Sequence, residues 1–286
     1  MTEVAKHACD PKVVERFCSE LLCSLPSIAK LSSILLWGSH ARGQQIAESD
    51  IDIILVLREE LRCGQPTLLE TFSKFSTVSS CSTTYDFPGL ALKGATSFGE
   101  FDVRFHVLGD IKNGCFKARK DTCIDYQAHT FLQSAKDSIV LWERACEGQR
   151  VLTEVARAPI PKVCEAMIVE GLNYPSLSEL ARLDRRCEYI ARAVFIARLA
   201  FCTASAFFGI AGQFGYFRMK GLVRQTRNLQ LPPTVRSAFH VLAENPFARA
   251  EEIVKVLLTI INYVSSNSHS MKVHQIAERA LTTLQP

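Results

Sequence analysis

At about residue 150 the hydrophobic period of the chain changes. Before that point, short apolar runs and alternating stretches are separated by turn residues; beyond it, apolar side chains recur at helical spacing to the end. A chain that switches period once cannot be a single helical bundle or a single β-sandwich. The expectation is an α/β or α+β first half and an all-helical second half, with the boundary near 148–158, giving domains 1–150 and 151–286. The 286 residues suffice for two domains, and 48% apolar with 22% charged residues excludes collagen-like, low-complexity and largely disordered chains.

In the first half, Asp10-Pro11 reads as a helix start, with Val13, Val14, Phe17, Leu21 and Leu22 at helical spacing and Pro26 as its end. Ser33–Trp37 reads as a buried strand ending at Gly38-Ser39. A polar stretch, 40–49, leads to a second strand, Asp50–Leu57. A helix is expected over 66–75 and strand plus loop over 76–100. Phe101–Leu108 alternates, with Phe101, Val103, Phe105 and Val107 on one face and Asp102, Arg104 and His106 on the other. A helix over 121–136 and a short strand over Ser138–Glu143 complete this half. The longest helix of the second half is expected over 176–208, and Pro232-Pro233 and Pro246 punctuate later helices.

The chemistry concentrates in residues 36–57, LWGSHARGQQIAESDIDIILVL. Strand alternation puts Asp50 and Asp52 on one face, about 6.5–7 Å apart at the backbone, so their oxygens can converge on one hard cation. Asp102 offers a third carboxylate from a later strand of the same pattern; Asp86, beside Pro88, is its competitor and reads as a turn residue. Three carboxylates can hold two ions about 3.5–4 Å apart, the arrangement used for in-line displacement at phosphorus. Gly38 permits close backbone approach to a phosphate, Ser39 supplies a hydroxyl and an N–H at a turn, and Arg42 supplies a guanidinium fork. Arg104 and His106 share the face of Asp102 and read as structural partners.

Gly38-Ser39-His40-Ala41-Arg42-Gly43 followed by Ser49-Asp50-Ile51-Asp52 resembles the signature of the DNA polymerase beta-like nucleotidyltransferase superfamily, and its bacterial minimal and antibiotic-modifying members in particular. The resemblance covers about residues 10–145. It implies a small mixed sheet flanked by helices, and transfer of NMP from an NTP, with ATP the expected donor, to an acceptor hydroxyl with release of pyrophosphate. It also implies two Mg²⁺ ions (or Mn²⁺) held by Asp50, Asp52 and Asp102, with Asp102 acting as general base or positioning the metal-bound alkoxide. The Gly38, Ser39, Arg42 and Gly43 turn would hold the leaving phosphates. A following helical domain commonly closes the cleft and selects the acceptor. A non-catalytic antitoxin or nucleotide sensor is the alternative; both acids of the Asp-Ile-Asp pair favour the enzyme.

Charge bears on the acceptor. Residues 1–150 carry 17 Lys/Arg against 19 Asp/Glu, and residues 151–286 carry 16 against 10. The segment 182–227 holds nine basic residues and two acidic ones, which suits either an anionic partner or a solvated helix surface. A polycationic acceptor is disfavoured; a neutral antibiotic, a protein hydroxyl or an RNA end remains compatible. No Arg-x(4–6)-His nuclease motif is present, since Arg236 and His240 are separated by three residues. Walker-type, His-Glu-x-x-His and Gly-x-Ser-x-Gly motifs are absent as well. The 11 cysteines have no CxxC pair and read as reduced, mostly buried side chains. The start of the sequence has no signal-peptide pattern, and the uncharged run 199–217 reads as a buried helix and turn rather than a membrane contact. The expected location is cytoplasmic.

Overall fold

The computed structural model describes residues 11–25, 30–45, 49–61, 65–83, 89–97, 99–174 and 177–284. Asp10, Pro26 and Asp86 lie outside the described residues. In chain order the first elements are α1 (Pro11–Ser24), β1 (Leu31–Leu36), α2 (Gly38–Ala41), β2 (Ile51–Leu57), α3 (Gln65–Ser73), β3 (Thr77–Thr83), β4 (Gly89–Thr96) and β5 (Gly99–Val107). Then follow α4 (Leu108–Lys120), α5 (Tyr126–Ala135), β6 (Ile139–Glu143) and α6 (Glu147–Ala156). The remaining helices are α7 (Pro161–Leu172), α8 (Leu177–Arg185), α9 (Tyr189–Ile210), α10 (Leu222–Arg227), α11 (Pro233–Glu244), α12 (Ala250–Ser266) and α13 (Met271–Leu284).

The chain forms two compact units. One comprises Met1–Lys117 with Ser134–Arg157, the other Ala118–Gln133 with Ala158–Pro286. The division is therefore not one cut in the sequence: α5 belongs with the later helices.

The first unit is built on a six-stranded mixed sheet, order β3-β4-β5-β2-β1-β6. β2 and β5 run parallel and the other neighbours antiparallel. The alternation that separates odd from even positions places Ile51, Ile53, Leu55, Phe101, Val103 and Phe105 in one core with Phe17 and Leu21 of α1 and Leu68 and Phe72 of α3. Phe17 meets Phe101 at 5.2 Å between ring centroids, and Phe72 meets Phe105 edge-on at 6.0 Å. Burying these aromatic rings on one side fixes the register of β2 against β5, and a slip of one residue would turn the aspartates inward.

The second unit centres on α9. Phe207 and Phe208 are fully buried, and Phe207 packs edge-on against Phe239 of α11 and Tyr263 of α12. A Cβ at Gly171 of α7 would lie 2.6 Å from the Cys202 carbonyl, and one at Gly209 of α9 would lie 2.7 Å from that of Cys164. Two glycines thus set how closely α7 and α9 approach. By length and composition α9 could cross a membrane; 61% of its most apolar 18-residue window is buried inside the protein.

Four expectations change. The helix expected over 121–136 begins at Tyr126, because the Asp125 carboxylate accepts the N–H groups of Gln127 and Ala128 at 3.0 Å and caps it there. The helix expected over 176–208 is two, α8 and α9, broken where Cys187 takes a left-handed φ of +54°. That conformation is usually signalled by Gly or Asn, and neither stands here. Within 76–100, β3 and β4 pair antiparallel, and α4 follows β5 directly. Among the nine described cysteines, Cys18 and Cys115 are buried, whereas Cys23, Cys123, Cys146 and Cys187 are exposed on outer helix faces and loops. All nine are free thiols.

Candidate active site

The site is made by strand register. In the parallel pair, Asp52 of β2 stands directly opposite Asp102 of β5, and across the other edge of β5 Asp102 stands opposite Lys93 of β4. Asp50 precedes β2 by one residue. Carboxylate oxygens of Asp50, Asp52 and Asp102 all lie within 4.8 Å of one another. Asp50 and Asp52 are half-buried and Asp102 is buried.

The turn after β1 closes over this group. The Trp37 N–H donates to the Asp52 carbonyl at 3.0 Å, which brings Gly38 against the Asp52 side chain. Gly38 has φ +72°, and a Cβ there would stand 1.9 Å from Asp52 Oδ2. Only glycine fits this position on both counts. The turn then ties to itself: the Gly43 N–H donates to the His40 carbonyl at 3.2 Å and the Gln44 N–H to the Ser39 carbonyl at 2.9 Å. His40 Nε2 lies 3.3 Å from the Ser49 carbonyl, linking the turn to the residue before Asp50. Ser39 is half-buried. Arg42 is half-buried too, and its Nε donates to Gln44 Oε1 at 3.3 Å. Gly43, at φ +62°, faces open space.

Electrostatics follow from the crowding. Burial, then the like charges of Asp50 and Asp102, push the Asp52 carboxyl up to about 7; Arg104 and Arg42 oppose the rise. Asp102 Oδ2 pairs with Lys93 Nζ at 3.3 Å. Its Oδ1, with Arg104 Nε at 3.7 Å, is buried with no hydrogen-bond donor among the described residues. The Arg104 guanidinium lies 4.4 Å from the Trp37 ring centroid, which holds it beside the carboxylates. A buried carboxylate oxygen without a donor, two neighbouring carboxylates and all-oxygen ligation fit one or two hard divalent cations, Mg²⁺ or Mn²⁺.

Two participants were not singled out from sequence. Lys93 sits in GLALKGAT, where it is one polar residue in a weakly patterned strand, and only the β4–β5 register brings it to Asp102. Trp37 reads as the last strand residue, and its ring contact with Arg104 joins positions 67 residues apart. Arg104, expected as a structural partner, does lie against Asp102.

No protein-family model matches the chain, and no curated protein matches it. Among solved structures, the chain is similar to a nucleotidyltransferase-like protein from Exiguobacterium sibiricum 255-15. The TM-score is 0.39 with 11% sequence identity, covering 90% of this chain and 78% of that one.

Proposed function

We propose that the chain is a divalent-metal-dependent nucleotidyltransferase that moves NMP, with AMP from ATP the leading case, onto an acceptor hydroxyl. The observation that carries this reading is the convergence of Asp50, Asp52 and Asp102 on one sheet face beside the Gly38 turn. Asp50, Asp52 and Asp102 would hold the ions, which supply charge neutralisation at the triphosphate and at the acceptor oxygen. Asp102 orients the acceptor hydroxyl and receives its proton as the oxygen bonds to the α-phosphorus. The bond from that phosphorus to the bridging oxygen breaks, and pyrophosphate leaves. The turn from Gly38 to Gly43 presents backbone N–H groups, the Ser39 hydroxyl and the Arg42 guanidinium to the leaving phosphates. Alignment and charge compensation supply most of the rate, since phosphoryl transfer needs little covalent help from the protein. The acceptor is a small molecule, such as a neutral antibiotic, or a macromolecule.

One observation favours a second reading. Lys93 already neutralises part of Asp102, so the same fold could bind a nucleotide without turning it over, as an antitoxin or sensor. Incubation with Mg²⁺, each of the four α-labelled NTPs and an acceptor panel decides between them. Pyrophosphate release with a labelled acceptor supports transfer; nucleotide binding with no release from any NTP supports the sensor.

A further inference from the structure

The second unit contains two adjoining cavities, of about 640 and 460 Å³, that share Glu170 and Asn173. The smaller is walled by aromatic side chains: Tyr126 and Phe217 meet edge-on with centroids 4.6 Å apart, and Phe201 of α9 joins them. Its volume is in the range that encloses a small organic ligand.

Glu170 is the anomaly in this wall. It stands on α7 beside Gly171 and lines both cavities. It is half-buried and has neither an ion pair nor a side-chain hydrogen bond among the described residues. Burial alone pushes its carboxyl above the usual carboxylate range. Exposed Arg198 also lines the cavity, and the two charges act in opposite senses on the Cys202 thiol. They do not pair with each other. Lys272 and Arg279 also line the larger cavity, but half-buried Glu170 forms no ion pair with either among the described residues, and a cation bound beside it supplies a direct counter-charge. Aromatic walls favour the same kind of ligand, because ring faces attract ammonium groups.

We infer that this cavity binds a small organic cation, an ammonium group on an apolar or aromatic body, with Glu170 as counter-ion and Tyr126, Phe201 and Phe217 as walls. Arg198 restricts the ligand to a single positive charge. Nothing in this site depends on nucleotidyl transfer.

Isothermal titration of the full chain tests it, with phenethylamine and benzyltrimethylammonium as probes. 2-Phenylethanol and 3-phenylpropionate serve as the neutral and anionic controls. The ammonium probes are expected to bind with Kd below about 1 mM, and both controls at least about tenfold more weakly. Glu170→Gln should bring phenethylamine to the level of the neutral control. Arg198→Ala, at an exposed side chain, should bind the ammonium probes as tightly as the native protein or more so. The inference is overturned if neither ammonium probe binds, if the anion binds more tightly than the amine, or if folded Glu170→Gln keeps native affinity. It is also overturned if Arg198→Ala weakens ammonium binding. Should Glu170→Gln not fold, the probe series and Arg198→Ala still decide.

Discussion

The two units place polar groups in their interiors by different means. In the first, β2, β5 and β4 lie side by side, so Asp52, Asp102 and Lys93 form a row whose spacing is fixed by backbone hydrogen bonds. In the second, Arg192 is buried among helices and held by side-chain geometry: it donates to Asp184 and to the carbonyls of Pro246 and Ala248. The first arrangement gathers three like charges that Lys93 and Arg104 offset only in part. The second satisfies its charge internally and ties α8, α9 and the 245–249 turn together. A polar cluster left electrostatically unsatisfied points to chemistry, and a satisfied one points to architecture.

Asp50→Asn and Asp52→Asn test the first half of that contrast most severely. On the proposed transferase reading each should lower NMP transfer by about 10³-fold or more, since each would remove a ligand of the ions that neutralise the transition state. The fold should survive, because a half-buried acid crowded by like charges is replaced rather than an ion-pair partner removed. Turnover within a fewfold of native in either variant, read by pyrophosphate release, would sink the transferase reading. Arg192→Ala tests the second half. It leaves the Pro246 and Ala248 carbonyls without this donor, while Asp184 stays partly solvated, and should destabilise the protein by about 1–3 kcal/mol in denaturant unfolding. A loss under about 1 kcal/mol would mean that the α8–α9 break is held by apolar packing instead.

How much of this was legible in the sequence divides along the same line. Asp50, Asp52 and Asp102 could be found because a strand shows alternate residues on one face and the sheet then only has to align two strands. Residues that meet through a second register were not visible: Lys93 reaches Asp102 only because β4 returns antiparallel beside β5. The α8–α9 break was hidden for another reason. Cys187 adopts left-handed backbone without the glycine that advertises it, held where Glu188 N–H reaches back to the Leu183 carbonyl and Arg192 to Asp184. Tertiary contacts overrode local propensity there. In the helical unit the residues gathered at one cavity come from positions 126, 170, 198, 201 and 217, which no local pattern joins.

The Gly38 turn offers a smaller effect and a sharper one. Gly38→Ala adds a methyl into the space of Asp52 Oδ2 and forces L-side-chain strain at φ +72°. Gly43→Ala adds the same strain at φ +62° with nothing in its way. Both should lose about 1 kcal/mol of stability from backbone strain. Only Gly38→Ala should also lower transfer, by about 10- to 100-fold, through displacement of a ligand by about 1 Å. Equal losses of transfer in the two variants would move the cause from the carboxylate to the turn backbone.

The finest test uses the opposite pH responses of the two units. Asp52, raised to about 7, keeps a proton in the folded chain that the unfolded chain loses near pH 4. Between about pH 4 and 7 the folded state binds the extra proton, so this group's contribution to stability falls as pH rises and levels off above 7. His129 does the reverse. Its ring is buried edge-on against Phe214 at 5.1 Å, its Nδ1 accepts the Gly215 N–H at 3.4 Å, and burial pushes it down to about 4. Between about 6.5 and 4 the unfolded chain takes up a proton that the folded chain refuses, so stability falls as pH falls. Over pH 4.5–6.5 the two slopes oppose each other at up to about 1.4 kcal/mol per pH unit each, and the native protein shows little net change from them. Denaturant unfolding at pH 4.5, 5.5 and 6.5 separates the pair. Asp52→Asn should leave stability rising with pH, and His129→Gln should leave it falling. A flat profile in Asp52→Asn removes the buried neutral histidine from the account, and a flat profile in His129→Gln removes the protonated aspartate. Mg²⁺ at the same three pH values adds the last separation: by drawing the proton off Asp52 it should steepen the native profile toward that of Asp52→Asn, and leave the profile of that variant unmoved.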